Sequence, residues 1–361
     1  MAAGHAVPAP GNYDRRYPAP TGGPGTGDGV ANVVITGGAG FVGSRLAREL
    51  LATGSLGVAG GAVAPLAQVT IIDRSPAPAD LAADGRVAAV CGDLGELLDP
   101  AGAGWQALAG ADVIFHLAAA VSAECEADFG LGMRANLSVT ESLLAACRAL
   151  ATNPVVVFAS SLAVFGGSAE HPLPAVVDDQ TLPNPQSSYG TQKFIGELLL
   201  ADHTRKGFLR GRAVRLLTVA VRPGRPNAAA SGFLSSIIRE PLAGQRAVCP
   251  VSARTEVALM SPARAIDLLL CAATASGEAW GGRTAVTPPA LTVTVADMVA
   301  ALERAGGPGA SALIDWVPDP EVARLVASWP ARIRAGRAER LGLAPDPDFD
   351  SIIRMHLAET R

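Results

Sequence analysis

The sequence predicts an α/β protein, a doubly wound parallel sheet followed by a smaller C-terminal α+β lobe. Three observations carry this expectation. Short apolar runs alternate with helical stretches over residues 30–221, a glycine-rich turn joins the first run to the first helix, and the alternation breaks down after Val221. Alternating strands and helices call for parallel pairing with right-handed crossovers, because each return to the sheet needs a helix-length connection. In such sheets ligands lie at the carboxyl ends of the strands. With 361 residues the chain has ample material for a core in one large two-lobed unit.

Taken in order, residues 1–29 are rich in Pro, Gly and Ala without an apolar run, which predicts a disordered leader. Arg15 and Arg16 are followed by Pro18, Pro20 and Pro24 where an export signal would be apolar. Val33–Ile35 is the first strand candidate, and it ends in Thr36, Gly37, Gly38, Ala39, Gly40, Phe41, Val42 and Gly43. The helix that follows, Phe41 to Ala52, carries Leu46, Leu50 and Leu51 at helical spacing. Strand, glycine turn and helix suit a dinucleotide pyrophosphate, whose charge sits on free amides at a helix start where only glycine lets the backbone come close. Thr53 to Gln68 is long and full of Gly and Ala, so an inserted surface loop is expected there. Further strands are expected at Val69–Ile72, Val87–Cys91, Val113–His116, Val155–Ala159 and Ala213–Val219, with helices at Asp128–Ala149 and Ser188–Lys206. Beyond Arg222 to Ala230, an irregular stretch, helices are expected near Ser231–Glu240, Arg264–Ala275, Val295–Ala305, Glu321–Ala327 and Phe349–Ala358. These make residues 222–361 mainly a substrate lobe, with 264–275 as a segment that can return to the sheet.

The chemistry is signalled by Tyr189 and Lys193, which share a helix face at four-residue spacing, and by Ser161, 28 residues before the tyrosine at the end of an apolar run. An ammonium beside a phenol stabilises the phenolate and lowers a pKa that is otherwise about 10, so the pair can act as a general base at an alcohol carbon. Composition excludes other classes. A net charge of -4 with scattered Lys and Arg gives no footprint for nucleic acid or an anionic membrane. The five cysteines form no Cys-x-x-Cys or Cys/His cluster, so reduced thiols, a cytoplasmic location and no metal are expected. No run approaches the roughly 18 apolar residues of a membrane span.

From Ala31 to about Arg361 the chain resembles the extended short-chain dehydrogenase/reductases, the superfamily that includes the NAD-dependent epimerases and dehydratases. The resemblance rests on residues 36–43, Asp73, Asp93-Leu94, His116 to Ala119, Asn136, residues 160–166, residues 189–193 and Arg222 to Gly224, in that order. Residues 187–202, 222–235 and 239–245 are most similar to the D-erythronate dehydrogenases, which oxidise the C2 hydroxyl of a four-carbon sugar acid with NAD. The resemblance implies a Rossmann-type NAD-binding domain over residues 30–221, with Tyr189 as proton acceptor, Lys193 tuning it and holding the nicotinamide ribose, and Ser161 binding the reacting oxygen. Gly37, Gly40, Phe41, Val42 and Gly43 would hold the pyrophosphate, Asp73 the adenine ribose, Asp93 and Leu94 the adenine, and Ala118 and Ala119 the pyrophosphate and ribose. A small-molecule sugar acid is the implied partner, and a homodimer the implied assembly.

Several alternatives stay open at this point. Ser160 competes with Ser161, because neighbouring strand residues face opposite ways. Asp73 lies 30 residues after Gly43, against a usual spacing of about 20, and a turn cap is its other role. Arg74 beside it could favour NADP. His116, in an apolar strand, reads as a core histidine with a backbone partner before it reads as a base. Arg222, Arg225, Arg239 and Asn227 are all candidates for the substrate, a guanidinium suiting a carboxylate. A nucleotide-sugar 4-epimerase uses the same three reacting residues and is the enzyme alternative. A 4,6-dehydratase would carry an Asp-Glu pair where this chain has Leu162 and Ala163. A non-enzymatic NAD sensor would typically lack the Tyr or Lys.

Overall fold

The computed structural model describes residues 29–168, 170–224 and 231–360. The expected leader therefore lies outside the described residues except for Gly29, and so do Arg225 and Asn227. The larger sheet is built from β1 (Ala31–Thr36), β2 (Ser55–Gly57), β3 (Val63–Asp73), β4 (Val87–Cys91), β5 (Val113–His116), β6 (Val155–Ser161) and, after a two-residue strand β7 (Val177–Asp178) that lies elsewhere, β8 (Arg210–Leu216). Its parallel strands run β4–β3–β1–β5–β6–β8. Order reverses at β1, so the crossover helices fall on opposite faces and a crevice opens beyond the ends of β1 and β5.

Both faces are covered, which is why these strands are apolar throughout instead of alternating. Val33, Ile35, Val69, Ile71, Val113, Phe115, Val155 and Val157 share one buried layer with Leu46 and Leu50 of the Phe41–Thr53 helix. Val34, Ile72, Ile114, Val156 and Phe158 share the other with Leu143, Leu144 and Leu200. Ala265, Leu268, Leu269 and Ala272 of the Pro262–Thr274 helix belong to the first layer, so a segment from beyond residue 221 helps to cover the sheet.

The remaining strands are short: β9 (Thr218–Val219), β10 (Ala247–Cys249), β11 (Glu256–Met260), β12 (Leu291–Thr294), β13 (Ile314–Trp316) and β14 (Ile333–Arg334). They pair as β12–β11–β9, β10–β13 and β14–β7. Around them Leu234, Ile237, Leu259, Met298, Leu302, Phe349 and Ile353 form a second core.

Three segments differ from expectation. Thr53 to Gln68 is not a loop, because β2 pairs antiparallel with the start of β3 and buries Leu56 and Leu66 in the main core. The helix expected over Asp128–Ala149 runs without interruption from Phe129 to Leu150 but is not α-helical throughout. Asp128 caps a short helix, Phe129–Gly132, by accepting from Leu131 N at 2.8 Å, and a π-helical stretch, Met133–Ser138, precedes the regular helix Val139–Leu150. The run Ala213–Val219 divides between two sheets, with β8 on β6 and β9 on β11. Among the described residues no helix is long and apolar enough to cross a membrane, and no group of three or more His, Cys, Asp or Glu could hold a metal ion.

Candidate active site

Two adjoining cavities, of about 300 and 500 Å³, open at the carboxyl ends of β1 and β5 and share Gly37, Gly40, Leu117 and Ala119 as walls. Between β1 and the first helix the backbone passes through Gly37 at φ +71°, and a Cβ there would stand 2.7 Å from Ala118 N. Glycine is the residue that tolerates both. The Phe41–Thr53 helix starts at Gly40 with no side chain capping it, so its first amides remain available to an anion. Phe41, Val42 and Gly43 line the smaller cavity, and Asp73, Asp93, Leu94 and Ala118 line the larger. The uncapped helix start and the close-packed Gly37 fit the pyrophosphate of a dinucleotide.

Asp73 does two things at once. Its Oδ2 accepts from Ala39 N at 3.1 Å and so steadies the glycine turn, while Oδ1 accepts from Ser75 N at 3.0 Å as a turn cap. Asp93 accepts from Gly95 N at 2.9 Å and lies 3.4 Å from Arg74 Nε, so the Arg74 charge already has a carboxylate beside it.

The smaller cavity also takes in Ser161, Tyr189 and Lys193. Ser187 caps the Ser188–Arg205 helix by accepting from Gly190 N at 3.1 Å. That helix start presses on the turn after β6. A Cβ on Gly190 would lie 2.1 Å from Ala163 O. Strand alternation separates the two serines, and Ser160 Oγ is turned away to donate to Glu197 Oε1 at 2.5 Å. Ser161 Oγ accepts from Ala163 N at 3.1 Å and bonds the Tyr189 phenol. Lys193 Nζ donates to Ala159 O at 2.8 Å and lies 5.8 Å from the centroid of the Tyr189 ring.

Burial dominates the electrostatics here. It pushes the Tyr189 phenol up to about 12, against the opposing pull of the Ser161 hydrogen bond and the Arg222 charge. The same desolvation pushes the Lys193 ammonium down to about 8. The expected lowering of the phenol pKa is therefore not present in the protein alone. His116 is buried between two hydroxyls, not against backbone, with Nδ1 2.7 Å from Thr36 Oγ1 and Nε2 3.0 Å from Thr140 Oγ1. Burial and then the Lys193 charge push it down to about 3. Asn136, in the π-helical stretch, accepts from Ala120 N at 2.8 Å and donates to Gln192 Oε1 at 2.9 Å, bracing the loop after β5 against the tyrosine helix.

Of the substrate candidates, Arg222 lines the smaller cavity, and its charge acts on Tyr189. Its Nε donates to Val219 O at 3.1 Å. Arg239 does not line it; Nη1 donates to Arg222 O at 2.6 Å and Nη2 to Glu240 Oε1 at 2.5 Å, which makes it a buttress behind Arg222. The cavity also recruits Ser122, Thr218, Ser231 and Trp329, none of which sequence reasoning singled out. Thr218 read as ordinary strand, and Trp329 has no local motif around it.

Comparison with known proteins adds four relationships. The model of the NAD dependent epimerase/dehydratase family matches residues 33–264. D-erythronate dehydrogenase of Cupriavidus necator is 48% identical over 328 residues, 91% of this chain and 98% of the relative. The Haemophilus influenzae D-erythronate dehydrogenase is 39% identical over 90% of this chain and 98% of its own length. A crystal structure described as the nucleoside-diphosphate-sugar epimerase from Agrobacterium tumefaciens superposes with a TM-score of 0.82 at 38% identity, covering 99% of this chain and 98% of that one.

Proposed function

This chain belongs to the NAD dependent epimerase/dehydratase family, and on that premise we propose that it is an NAD-dependent dehydrogenase that oxidises the C2 hydroxyl of D-erythronate to 2-oxo-tetronate. The D-erythronate dehydrogenases, similar along almost their whole length, support the class of reaction. The choice of substrate is carried by one observation. Among the described residues of the 222–245 stretch, Arg222 is the cation at the cavity, while Arg239 is held behind it. One guanidinium suits a single carboxylate. A nucleoside diphosphate would call for several cationic or amide donors and a slot for its base.

In this reading Arg222 holds the substrate carboxylate and Ser161 the C2 hydroxyl. Tyr189, ionised, takes the hydroxyl proton, and Lys193 supports that phenolate and the ribose next to it. Gly37, Gly40, Phe41, Val42 and Gly43 would hold the cofactor's pyrophosphate. Asp73, Asp93, Leu94, Ala118 and Ala119 would hold its adenosine half. The chemistry that NAD held there would supply is an acceptor for the hydride leaving C2. Asp73 favours NAD over NADP, since a carboxylate bonds a free ribose hydroxyl and repels a 2'-phosphate.

NADH or NADPH formation at 340 nm with D-erythronate and other aldonic acids, measured against both NAD and NADP, together with chromatographic measurement of UDP-galactose formed from UDP-glucose, tests the proposal. D-erythronate oxidation with a clear preference for NAD is expected. Interconversion of UDP-sugars with no oxidation of four-carbon acids would favour the 4-epimerase, an alternative in keeping with the Agrobacterium protein's description as a nucleoside-diphosphate-sugar epimerase.

A further inference from the structure

Glu197 and Arg215 form an ion pair almost out of contact with water, their side chains 5% and 9% exposed. The guanidinium forks onto the carboxylate, Nε to Oε1 at 2.9 Å and Nη2 to Oε2 at 2.7 Å, and stacks 4.7 Å from the Phe165 ring. Ser160 Oγ donates to the same Oε1 at 2.5 Å. Every member of this cluster adjoins a group of the candidate site. Glu197 lies one turn beyond Lys193 and two beyond Tyr189, on the same face of the Ser188–Arg205 helix. Ser160 precedes Ser161 on β6, and Arg215 stands opposite Ser160 on β8. A buried pair of this kind adds little stability over apolar side chains of the same volume. What the charge-assisted fork does supply is a fixed geometry.

We propose that Glu197 is a positioning residue. By holding Ser160 and Arg215 it registers the helix that carries Tyr189 and Lys193 against the strand that carries Ser161, and so sets the spacing across which the proton moves. The proposal rests on reading those three residues as the reacting site. A displacement of about 1 Å between reacting groups is enough to lower a rate by about 100-fold.

Removing Glu197 alone would strand a buried guanidinium and destabilise the fold, so the decisive variant is the double substitution Glu197→Leu with Arg215→Met, which removes both charges and keeps the volume. A melting temperature close to wild type is expected, with kcat at least about tenfold lower, KM for NAD within about threefold, and the alkaline rise of kcat/KM moved to higher pH. Glu197→Gln combined with Arg215→Met, which keeps an acceptor for Ser160 without stranding the guanidinium, should recover part of the rate. A double variant with wild-type kcat and pH profile would show that the pair only fills space, and would overturn the proposal. If the double variant does not fold, Ser160→Ala replaces it, because the ion pair stays. A kcat loss of about threefold or more at unchanged melting temperature then supports the proposal, and an unchanged kcat overturns it. Each variant is assayed with D-erythronate and with UDP-glucose, since a Ser-Tyr-Lys site serves either reaction. Wild-type turnover of UDP-glucose alone overturns the D-erythronate reading, while the ratio of variant to wild type still judges Glu197. A wild type that turns over neither overturns both.

Discussion

In the proposed reaction Tyr189 starts from the protonated form, since burial holds its phenol near 12 and the Lys193 ammonium near 8. A proton acceptor works only when deprotonated, and its deprotonated fraction grows about tenfold per pH unit below its pKa. Oxidation should therefore accelerate as pH rises from 6 to at least 8, the limb being set by Tyr189 and Lys193 as a coupled pair. Tyr189→Phe keeps the ring but removes the acceptor. We expect kcat to fall at least about 100-fold with the NAD Kd little changed, and the residual rate to lose its alkaline rise. Retention of a third of wild-type turnover, or of the same pH limb, would assign the base to another group. The four-residue spacing drew attention to Tyr189 and Lys193, and the family resemblance to Ser161, with Ser160 left as its competitor until the turn of the strand separated the two. The direction of the pKa shift was not legible, because desolvation depends on what the fold packs around the pair. Among the arginines, sequence left the choice open, since each has the same chemistry and only the backbone path decides which one reaches the cavity.

The Ser188–Arg205 helix owes its depth to Gly190, whose missing side chain lets the first turn rest on the carbonyl of Ala163, next but one to Ser161. An alanine would place Cβ 2.1 Å from that oxygen, and since both partners are backbone, the helix start must move outward. Gly190→Ala should cost about 1–3 kcal/mol of stability, as overpacking usually does, and lower kcat by about tenfold or more because its neighbour is Tyr189. A urea midpoint and a kcat both equal to wild type would show that the loop after β6 yields freely. Elements with a clear apolar pattern were readable: the strands at Val33–Ile35, Val69–Ile72, Val87–Cys91, Val113–His116 and Val155–Ala159 and the first helix stand where their patterns put them, and the tyrosine helix also stands where expected although its apolar residues keep to no single face. Misreadings came where a tertiary partner overrides local signal. Gly and Ala masked the β2–β3 hairpin, whose anchors, Leu56 and Leu66, make sense only against the core. The helix expected over 128–149 carries a π-helical stretch at Asn136, whose side chain bonds both the N–H and the carbonyl of Ala120 across from it. Nothing local marks Leu217 as the point where one strand becomes two.

At the scale of the whole molecule, the candidate site belongs to neither core alone. Ser161, Tyr189 and Lys193 come with the larger sheet, whereas Trp329 packs against both clusters, so the cavity closes only when both are assembled. His116 binds that assembly to pH in a different way. In the unfolded chain its imidazole titrates near 6.5, and in the native core near 3, so between those values unfolding takes up a proton that the folded protein refuses. The contribution is fully present above pH 6.5 and is lost as pH falls toward 3. At pH 5 the loss amounts to about 2 kcal/mol, a large part of the stability of an ordinary domain. Urea titrations at pH 7 and pH 5 should show wild type losing that much more than His116→Gln, which carries no titrating ring; equal losses would mean that the native ring protonates in place. A histidine that ties the ends of β1 and β5 to the Val139–Leu150 helix would thus act as an acid fuse for the entire fold, drawing down its stability in mild acid in addition to whatever the reacting groups lose there.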